Sequence, residues 1–331
     1  MTWDELDWSA LDRLRARFLA GPGAGEPYWE SLDDLASYDF TYGERIGWKW
    51  DQVLRELQLR GWRPAARTVL DWGCGSGVAG RRVLSFLGAG NVESLTVWDH
   101  SPLACDFAAE AAWRQFPGVR TAQATPGFLT GDSPLGLLVV SHVLNELSPE
   151  ALANLRQLID RSDAVLWVEP GTHAVSRQLS RIRDELRAEF RVIAPCTHAL
   201  DCPVFAGENE RHWCHFFAPP PSEIFADSNW VKFGQRAGID LRSLPYCFLA
   251  LERGATPSEQ TGESWSRVIG RVEHFKPYAR WLNCDATGLT ELELPKRADP
   301  ALFKELERTK APLVYQWQRD GRKVSGGRAH S

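Results

Sequence analysis

A chain of 331 residues, 44% hydrophobic and 24% charged, is long enough for one large globular domain or a core with a modest second module. A net charge of −5 argues against a surface built throughout for nucleic acid, while leaving room for a local basic face. No run approaches roughly 18 uninterrupted apolar residues, which argues against a transmembrane helix, and seven cysteines without a secretory signal argue against a disulfide framework.

The opening stretch to residue 20 reads as an amphipathic helix, with Leu6, Leu11, Leu14 and Phe18 near helical spacing. It is acidic and has neither the apolar core of a signal peptide nor a transit character, so the expected location is cytoplasmic. Gly21 to Gly25 break the pattern, and a second helix is predicted over 44–60 with Trp48, Val53, Leu54 and Leu57 on its apolar side. From about residue 67, short apolar strands alternate with helices. Strands are predicted at 68–71, 95–98, 119–123, 135–141 and 164–168, with helices near 77–87, 102–115 and 149–160. Such alternation predicts a doubly wound, mostly parallel sheet of the α/β class. A helix at 173–189 leads to a strand at 190–194, and the next clear strand is 246–252. Roughly fifty residues rich in Pro, Cys, His and aromatics stand between these two strands. Further strands are predicted at 265–272, 278–284 and 289–294. The resulting division is an N-terminal helical region (1–64), a Rossmann-like core (65–194), a Cys-rich insert (195–245), the last core strand (246–252), a small β-rich extension (253–318) and a disordered tail (319–331).

The sharpest local motif is Val69-Leu70-Asp71-Trp72-Gly73-Cys74-Gly75-Ser76-Gly77-Val78, a buried strand that ends at an acid, then a glycine turn, then a helix. The glycines let backbone approach a ligand closely, and Asp71 with the turn amides can hold its polar end. Asp99 closes the next strand, where a carboxylate suits both hydroxyls of a ribose. Gly-x-Gly-x-Gly after Asp favours S-adenosylmethionine over a dinucleotide, so Asp71, Gly73, Gly75, Gly77, Asp99 and His142 are the predicted cofactor-binding residues. The fourth strand runs into Ser141-His142-Val143-Leu144-Asn145-Glu146-Leu147. His142, Asn145 and Glu146 are candidate catalytic residues facing the crevice. The alternative is that Asn145 and Glu146 merely precede a helix capped by Ser148 ahead of Pro149.

Cys196, Cys202 and Cys214 fall in the insert, with five and eleven residues between them. Paired zinc knuckles are spaced more tightly, whereas an iron–sulfur cluster tolerates irregular spacing and a distant fourth ligand. Cys284 is the preferred fourth thiol and Cys247 the second choice. His198, His212 and His215 keep zinc as an alternative, and scattered core cysteines are the reading without any metal.

These pieces in order resemble the methyltransferase-like proteins of the small ribosomal subunit. The matching residues are Asp71-x-Gly73-x-Gly75-x-Gly77, Ser141 to Leu147, Val168-Glu169-Pro170-Gly171-Thr172, Pro195-Cys196-x-His198 with Cys202-Pro203, Trp213-Cys214-His215-Phe216, and Cys284 with Leu294-Pro295-Lys296. The resemblance implies a class I Rossmann-like methyltransferase fold with a seven-stranded sheet. It also implies a [4Fe–4S] cluster on Cys196, Cys202, Cys214 and Cys284, and binding to small-subunit rRNA during ribosome assembly, with no membrane partner and as a monomer. The family's basic run before the last cysteine is here Val272-Glu273-His274-Phe275-Lys276-Pro277. Arg177, Arg181, Arg183 and Arg187 on the helix before the insert, Arg191 just after it, and Lys296 and Arg297 are candidate phosphate contacts. Three functions follow: an rRNA methyltransferase, an assembly factor that binds rRNA without methyl transfer, and a small-molecule methyltransferase. A cluster argues against the last.

Overall fold

Residues 1–20, 28–254, 265–308 and 311–330 are described by a computed structural model. In chain order they form α1 (Trp8–Ala20), α2 (Leu32–Tyr38), α3 (Glu44–Leu59), β1 (Thr68–Trp72), α4 (Val78–Leu87), β2 (Ser94–Trp98), α5 (Pro102–Gln115), β3 (Arg120–Gln123), α6 (Pro126–Thr130), β4 (Leu135–Ser141), α7 (Pro149–Asp160) and β5 (Ser162–Pro170). They continue with α8 (His173–Leu186), β6 (Phe190–Ala194), β7 (Phe216–Ala218), α9 (Glu223–Ala226), α10 (Ser228–Ala237), β8 (Leu244–Arg253), β9 (Trp265–His274), β10 (Tyr278–Asp285), β11 (Gly288–Pro295), α11 (Pro300–Leu306), β12 (Val314–Asp320) and β13 (Lys323–Ala329). Among the described residues no helix is long and apolar enough to cross a membrane. The predicted break at Gly21–Gly25 lies outside the described residues.

Contacts divide the chain into two units. The first is Met1–Arg55 with Arg63–Glu169 and Pro220–Leu244; the second is Glu56–Trp62 with Pro170–Pro219 and Pro245–Ser331. The stretch read as one insert, 195–245, is therefore shared: its cysteine-bearing half belongs to the second unit and Pro220–Leu244 to the first.

In the first unit, β3, β2, β1, β4 and β5 lie side by side in that order, all parallel. The central strands carry continuous apolar runs such as Leu137–Val140, which a sheet buried on both faces requires. Helix starts are written locally: Ser148 accepts from the Ala151 amide ahead of Pro149, and Pro102 opens α5. Leu14, Trp29 and Leu35 of the N-terminal helical region bury against Ala104 of α5, with Tyr28 and Tyr38 packed on this cluster.

In the second unit β6 and β8 pair antiparallel, and β7 also pairs with β8. The β-rich extension is a closed barrel in the order β10-β11-β13-β12-β9. Its core is Val268, Trp281, Leu292, Leu294, Tyr315 and Val324, with Leu302, Phe303 and Leu306 of α11 packed against it. The tail read as disordered is corrected here: Lys323–Ala329 is β13, hydrogen-bonded to β11 on one side and β12 on the other. With Val324 its main buried anchor, the strand lacks an apolar alternation, and pairing on both edges supplies the order that side chains do not announce.

Candidate functional site

The glycine turn after β1 is shaped by its backbone. Gly73, Gly75 and Gly77 all have positive φ, at 69°, 49° and 75°, where a side chain is strained. A Cβ on Gly73 would meet Val143 Cγ1 at 2.7 Å and one on Gly77 would meet Ala108 Cβ at 2.8 Å, whereas at Gly75 nothing lies within 4 Å. Gly73 and Gly77 therefore pack the turn tightly, and Gly75 presents bare backbone to open space. Asp99, from the end of β2, holds that turn: one oxygen accepts from the Gly75 amide at 3.0 Å and the other from the Ser101 amide at 2.9 Å. The His100 amide also donates to this carboxylate, so about one of its four lone-pair positions remains for a ligand hydroxyl. Asp71 is fully buried and one of its oxygens accepts from the Gly80 amide at 3.0 Å, so it ties strand to helix from beneath. Burial pushes its carboxyl up to about 7.

Where β4 ends, His142 takes a left-handed conformation with φ 57°, the one such non-glycine residue among those described. Its Nε2 lies 3.0 Å from Lys49 Nζ and its Nδ1 lies 3.2 Å from Ser141 Oγ, which also accepts from Trp50 Nε1 at 2.9 Å. Burial, then the Lys49 and Arg45 charges, hold the imidazole well below its ordinary pKa, so it is neutral. With Lys49 donating to Nε2, the proton sits on Nδ1 and is donated to Ser141. Both ring nitrogens are thus engaged. The turn that follows is pinned by buried Glu169, whose Oε1 accepts from the Val143 and Leu144 amides at 3.1 Å and from Trp167 Nε1 at 2.6 Å. Burial raises Glu169 to about 7. Glu146 is also raised to about 7, by burial and then by the Asp99 charge, while Arg17 opposes the rise. Its charge acts in turn on Tyr28 and Tyr38, so two carboxyls and two tyrosines are electrostatic neighbours. Asn145 is exposed.

In the second unit Cys196, Cys202, Cys214 and Cys247 line one cavity of about 30 Å³ with Arg183. Cys284 does not line it, yet its thiol is pushed well up by burial and then by Cys196 and Cys202, and Cys214 feels the same neighbours. His198 Nε2 is 3.8 Å from Cys284 Sγ, and burial lowers this imidazole to about 4. Among the described residues no group of three or more His, Cys, Asp or Glu side chains is placed so that it could hold a metal ion. The donor set nonetheless suits a thiolate-bound group. The sequence brings four free thiols within electrostatic reach of one another, and the buried Arg183 Nε has no partner beside the cavity they line. The strand leading to Cys196 is clamped by buried charge. Glu56 pairs with Arg267, 2.8 Å between Nη2 and Oε2, and with Arg60 at 2.9 Å. Both guanidiniums donate to the Pro195 carbonyl, at 3.1 and 2.9 Å.

Of the five arginines from Arg177 to Arg191 read as phosphate contacts, four have other work, while Arg181 is exposed and lies over the Phe205 ring. Arg177 donates to the carbonyls of Val204 and His212, Arg183 to those of His198 and Leu200, Arg187 to that of Ala199, and Arg191 pairs with Glu252. The first three hold the cysteine loop in shape, because a loop without regular pairing must satisfy its carbonyls elsewhere, while Arg191 ties β6 to β8. The sequence reading passed over Lys49 and Trp50, named Glu169 only within a family match, and gave Arg183 a phosphate role rather than a place beside the thiols. A single buried polar residue leaves no periodic signal; only the Val168-Glu169-Pro170 match pointed near one of them.

Five parallel strands in the order β3-β2-β1-β4-β5, a glycine turn after β1 and an acid after β2 define a class I methyltransferase fold, followed in sequence by the antiparallel β6/β8 pair. Residues 52–281 match the family described as mitochondrial small ribosomal subunit Rsm22, and the chain belongs to that family. Solved structures it is similar to include the Synechocystis magnesium protoporphyrin IX methyltransferase with bound S-adenosylhomocysteine (14% identity, TM-score 0.39, covering 76% of this chain and 97% of that one). Others are a 16S rRNA methylase (12%, 0.37, covering 75% and 76%) and the ribosomal protein L11 methylase of Lactobacillus delbrueckii (17%, 0.34, covering 61% and 77%). At that distance they carry no argument. No curated protein matches the chain.

Proposed function

We propose that this chain is an S-adenosylmethionine-dependent methyltransferase acting on small-subunit rRNA. The observation that carries the reading is the Gly75 turn, open to solvent on its ligand side and tied by its amide to Asp99, at the end of β1. S-adenosylmethionine supplies an electrophilic methyl on a sulfonium, and transfer depends chiefly on proximity and in-line orientation of the acceptor. Asp99 keeps a lone-pair position for a ribose hydroxyl, and the Gly73–Gly77 backbone accommodates the polar chain. Asp71 supports that turn from below. His142, with both nitrogens occupied, is a positioning residue that shapes the strand end. Glu146 is the group able to take a proton from the acceptor, since a carboxyl raised to about 7 is near the ideal for a general base at neutral pH. Tyr28 and Tyr38 offer aromatic surface beside it.

The family match supports the ribosomal small subunit as the setting. We further assign a [4Fe–4S] cluster to Cys196, Cys202, Cys214 and Cys284, with Cys247 as the second choice for the fourth ligand and zinc as the alternative metal. Such a group would supply cross-linking between the insert and β10, and Arg183 Nε would donate to one of its sulfurs. Anaerobic purification tests this part: a visible absorption band and bound iron that are lost in Cys202→Ser support it, and a colourless protein holding zinc overturns it.

The test of the main reading is transfer of labelled methyl to small subunits isolated from cells lacking this protein. Label in the rRNA that is abolished by Asp99→Ala and slowed about 10²-fold or more by Glu146→Gln supports an enzyme with Glu146 as base. Firm binding of the subunits without label would overturn catalysis in favour of an assembly factor.

A further inference from the structure

The C-terminal barrel has a specific topology. Strands β9, β10 and β11 form an antiparallel meander, β11 pairs parallel with β13, and β12 closes the barrel against β9 and β13. Relabelled one to five, the order is 1-2-3-5-4-1, and the single helix α11 stands between the third and fourth strands, plugging the core with Leu302, Phe303 and Leu306. Gly270, at φ 71°, lets the first strand bend, and the β9/β10 register shifts opposite it. This is the arrangement of the oligonucleotide/oligosaccharide-binding fold, whose ligands cross strands two and three between the loops joining strands one to two and four to five. Fold alone does not assign function, so the surface has to carry the argument.

Three observations on that surface agree. The strand register brings the β9–β10 loop, the end of β11 and the β12–β13 turn to one rim: Tyr278 faces Pro295, Arg280 faces Glu293, and Glu293 faces Lys323. On that rim Phe275 is 40% exposed and stacks on Tyr278, ring centres 4.7 Å apart and 24° from parallel, with the Arg280 guanidinium 5.3 Å from its ring. Such an exposed ring stack with a flanking guanidinium is what a nucleobase stacks on. Charge is the third. Residues 265–329 hold thirteen Lys and Arg against eight Asp and Glu, a net +5 within a chain of −5. Arg280 and Arg322 are committed to Glu273 and Glu291, but among the described residues Lys276, Arg297 and Lys323 are exposed with no ion-pair partner. The other end of the face, at Cys284, is turned toward the cysteine loop through His198, which leaves the Phe275 rim as the open part.

We propose that this barrel rim is a single-stranded RNA site, with Phe275 and Tyr278 stacking a base and Lys276, Arg297 and Lys323 following the backbone. The inference deepens the rRNA reading by giving RNA a surface built from residues other than those assigned to methyl transfer, and it rests on that reading only for the source of the RNA. The test is fluorescence anisotropy of the full chain with a labelled twelve-nucleotide oligouridylate and with a duplex of equal length (about 12, within the site size of such barrels). The expected result is preference for the single strand. Phe275→Ala should weaken binding roughly tenfold with little change in salt dependence. Lys276→Gln with Lys323→Gln should flatten the salt slope by about 1.4, or 0.7 per phosphate contact. All three positions are exposed, so the variants should keep the wild-type melting temperature. Wild type that binds neither oligonucleotide at low salt, or binding indifferent to all three substitutions, overturns the proposal. Methyl transfer measured on the same samples keeps the two readings apart. Binding without transfer sinks only catalysis, and transfer unaffected by Phe275→Ala alongside lost wild-type oligonucleotide binding sinks only this site.

Discussion

Three carboxyls of the first unit are buried with little cationic help, whereas Glu56 of the second is buried inside an arginine clamp. Asp71, Glu146 and Glu169 all sit where desolvation outweighs their neighbours, and each is raised to about 7. Glu56 is just as deeply buried, and burial pushes it up too, but Arg267 and Arg60 outweigh that push and leave it below its ordinary value. The difference matches what each unit has to do. A crevice that admits a positively charged sulfonium gains from carboxyls that are not already paired, since they can ionise when the cation arrives. An irregular loop gains from charges satisfied within the protein, because its own backbone has few regular partners. Buried charge is thus an adjustable group in one unit and a fastening in the other.

The comparison breaks most readily at Glu56. Glu56→Gln leaves Arg267, 2% exposed and set 3.9 Å from the Phe216 ring, without its bidentate partner. Removing one member of such a pair costs about 3–5 kcal/mol, far more than a surface pair. Denaturant unfolding of the purified chain should show that loss, and it should grow smaller in acid. A carboxyl held below its ordinary pKa contributes stability above that value, and the contribution fades as pH falls through the lowered one. A loss under about 1 kcal/mol would mean the clamp is not closed in solution.

Glu169 gives the opposite sign. Its folded pKa is raised from 4.5 to about 7, so its contribution is fully present below the ordinary value and is lost as pH rises through about 7. Glu169→Gln keeps an acceptor for the Val143, Leu144 and Trp167 donors and cannot ionise. From about pH 5 to about pH 8, the variant should therefore gain on wild type by on the order of 3 kcal/mol, read as the difference between two pH–stability curves. Parallel curves would show that Glu169 is paired and ionised.

Asp99→Ala tests whether the adjustable unit meets a ligand where the fold says it does. Isothermal titration with S-adenosylhomocysteine should lose roughly 10- to 100-fold in affinity, the worth of hydrogen bonds to a charged acceptor. Unchanged affinity would move the ribose away from the end of β2.

Much of this was legible in the chain itself, and the reason differs between the units. Alternating apolar runs and glycine spacing announced β1 to β5 and the turn at Gly73–Gly77, because a two-sided sheet and a tight turn each demand particular residues at particular spacings. The barrel was visible only as strands. Its closure depends on β11 meeting β13 in parallel across an intervening helix, a long-range pairing that no local pattern encodes, and β13 itself reads as Lys-Val-Ser-Gly-Gly-Arg-Ala. The arginines of α8 look like an exposed basic face in sequence, since nothing local says that a loop folds back over them to offer its carbonyls.

The smallest effect bears on a choice the sequence left open, whether the residues after β4 form a site or only the start of α7. Ser148 Oγ accepts from the Ala151 amide at 3.1 Å with Pro149 in the first turn, so the helix start is complete without Asn145 or Glu146. Ser148→Ala should cost about 1 kcal/mol in unfolding free energy, the ordinary worth of an N-cap. It should leave S-adenosylhomocysteine affinity and methyl transfer unchanged, while Glu146→Gln does the reverse. That pattern would separate the two roles along four consecutive residues. If Ser148→Ala instead slowed transfer as much as Glu146→Gln, the turn and the helix would act as one element, and the raised carboxyl at Glu146 would reflect packing rather than proton transfer.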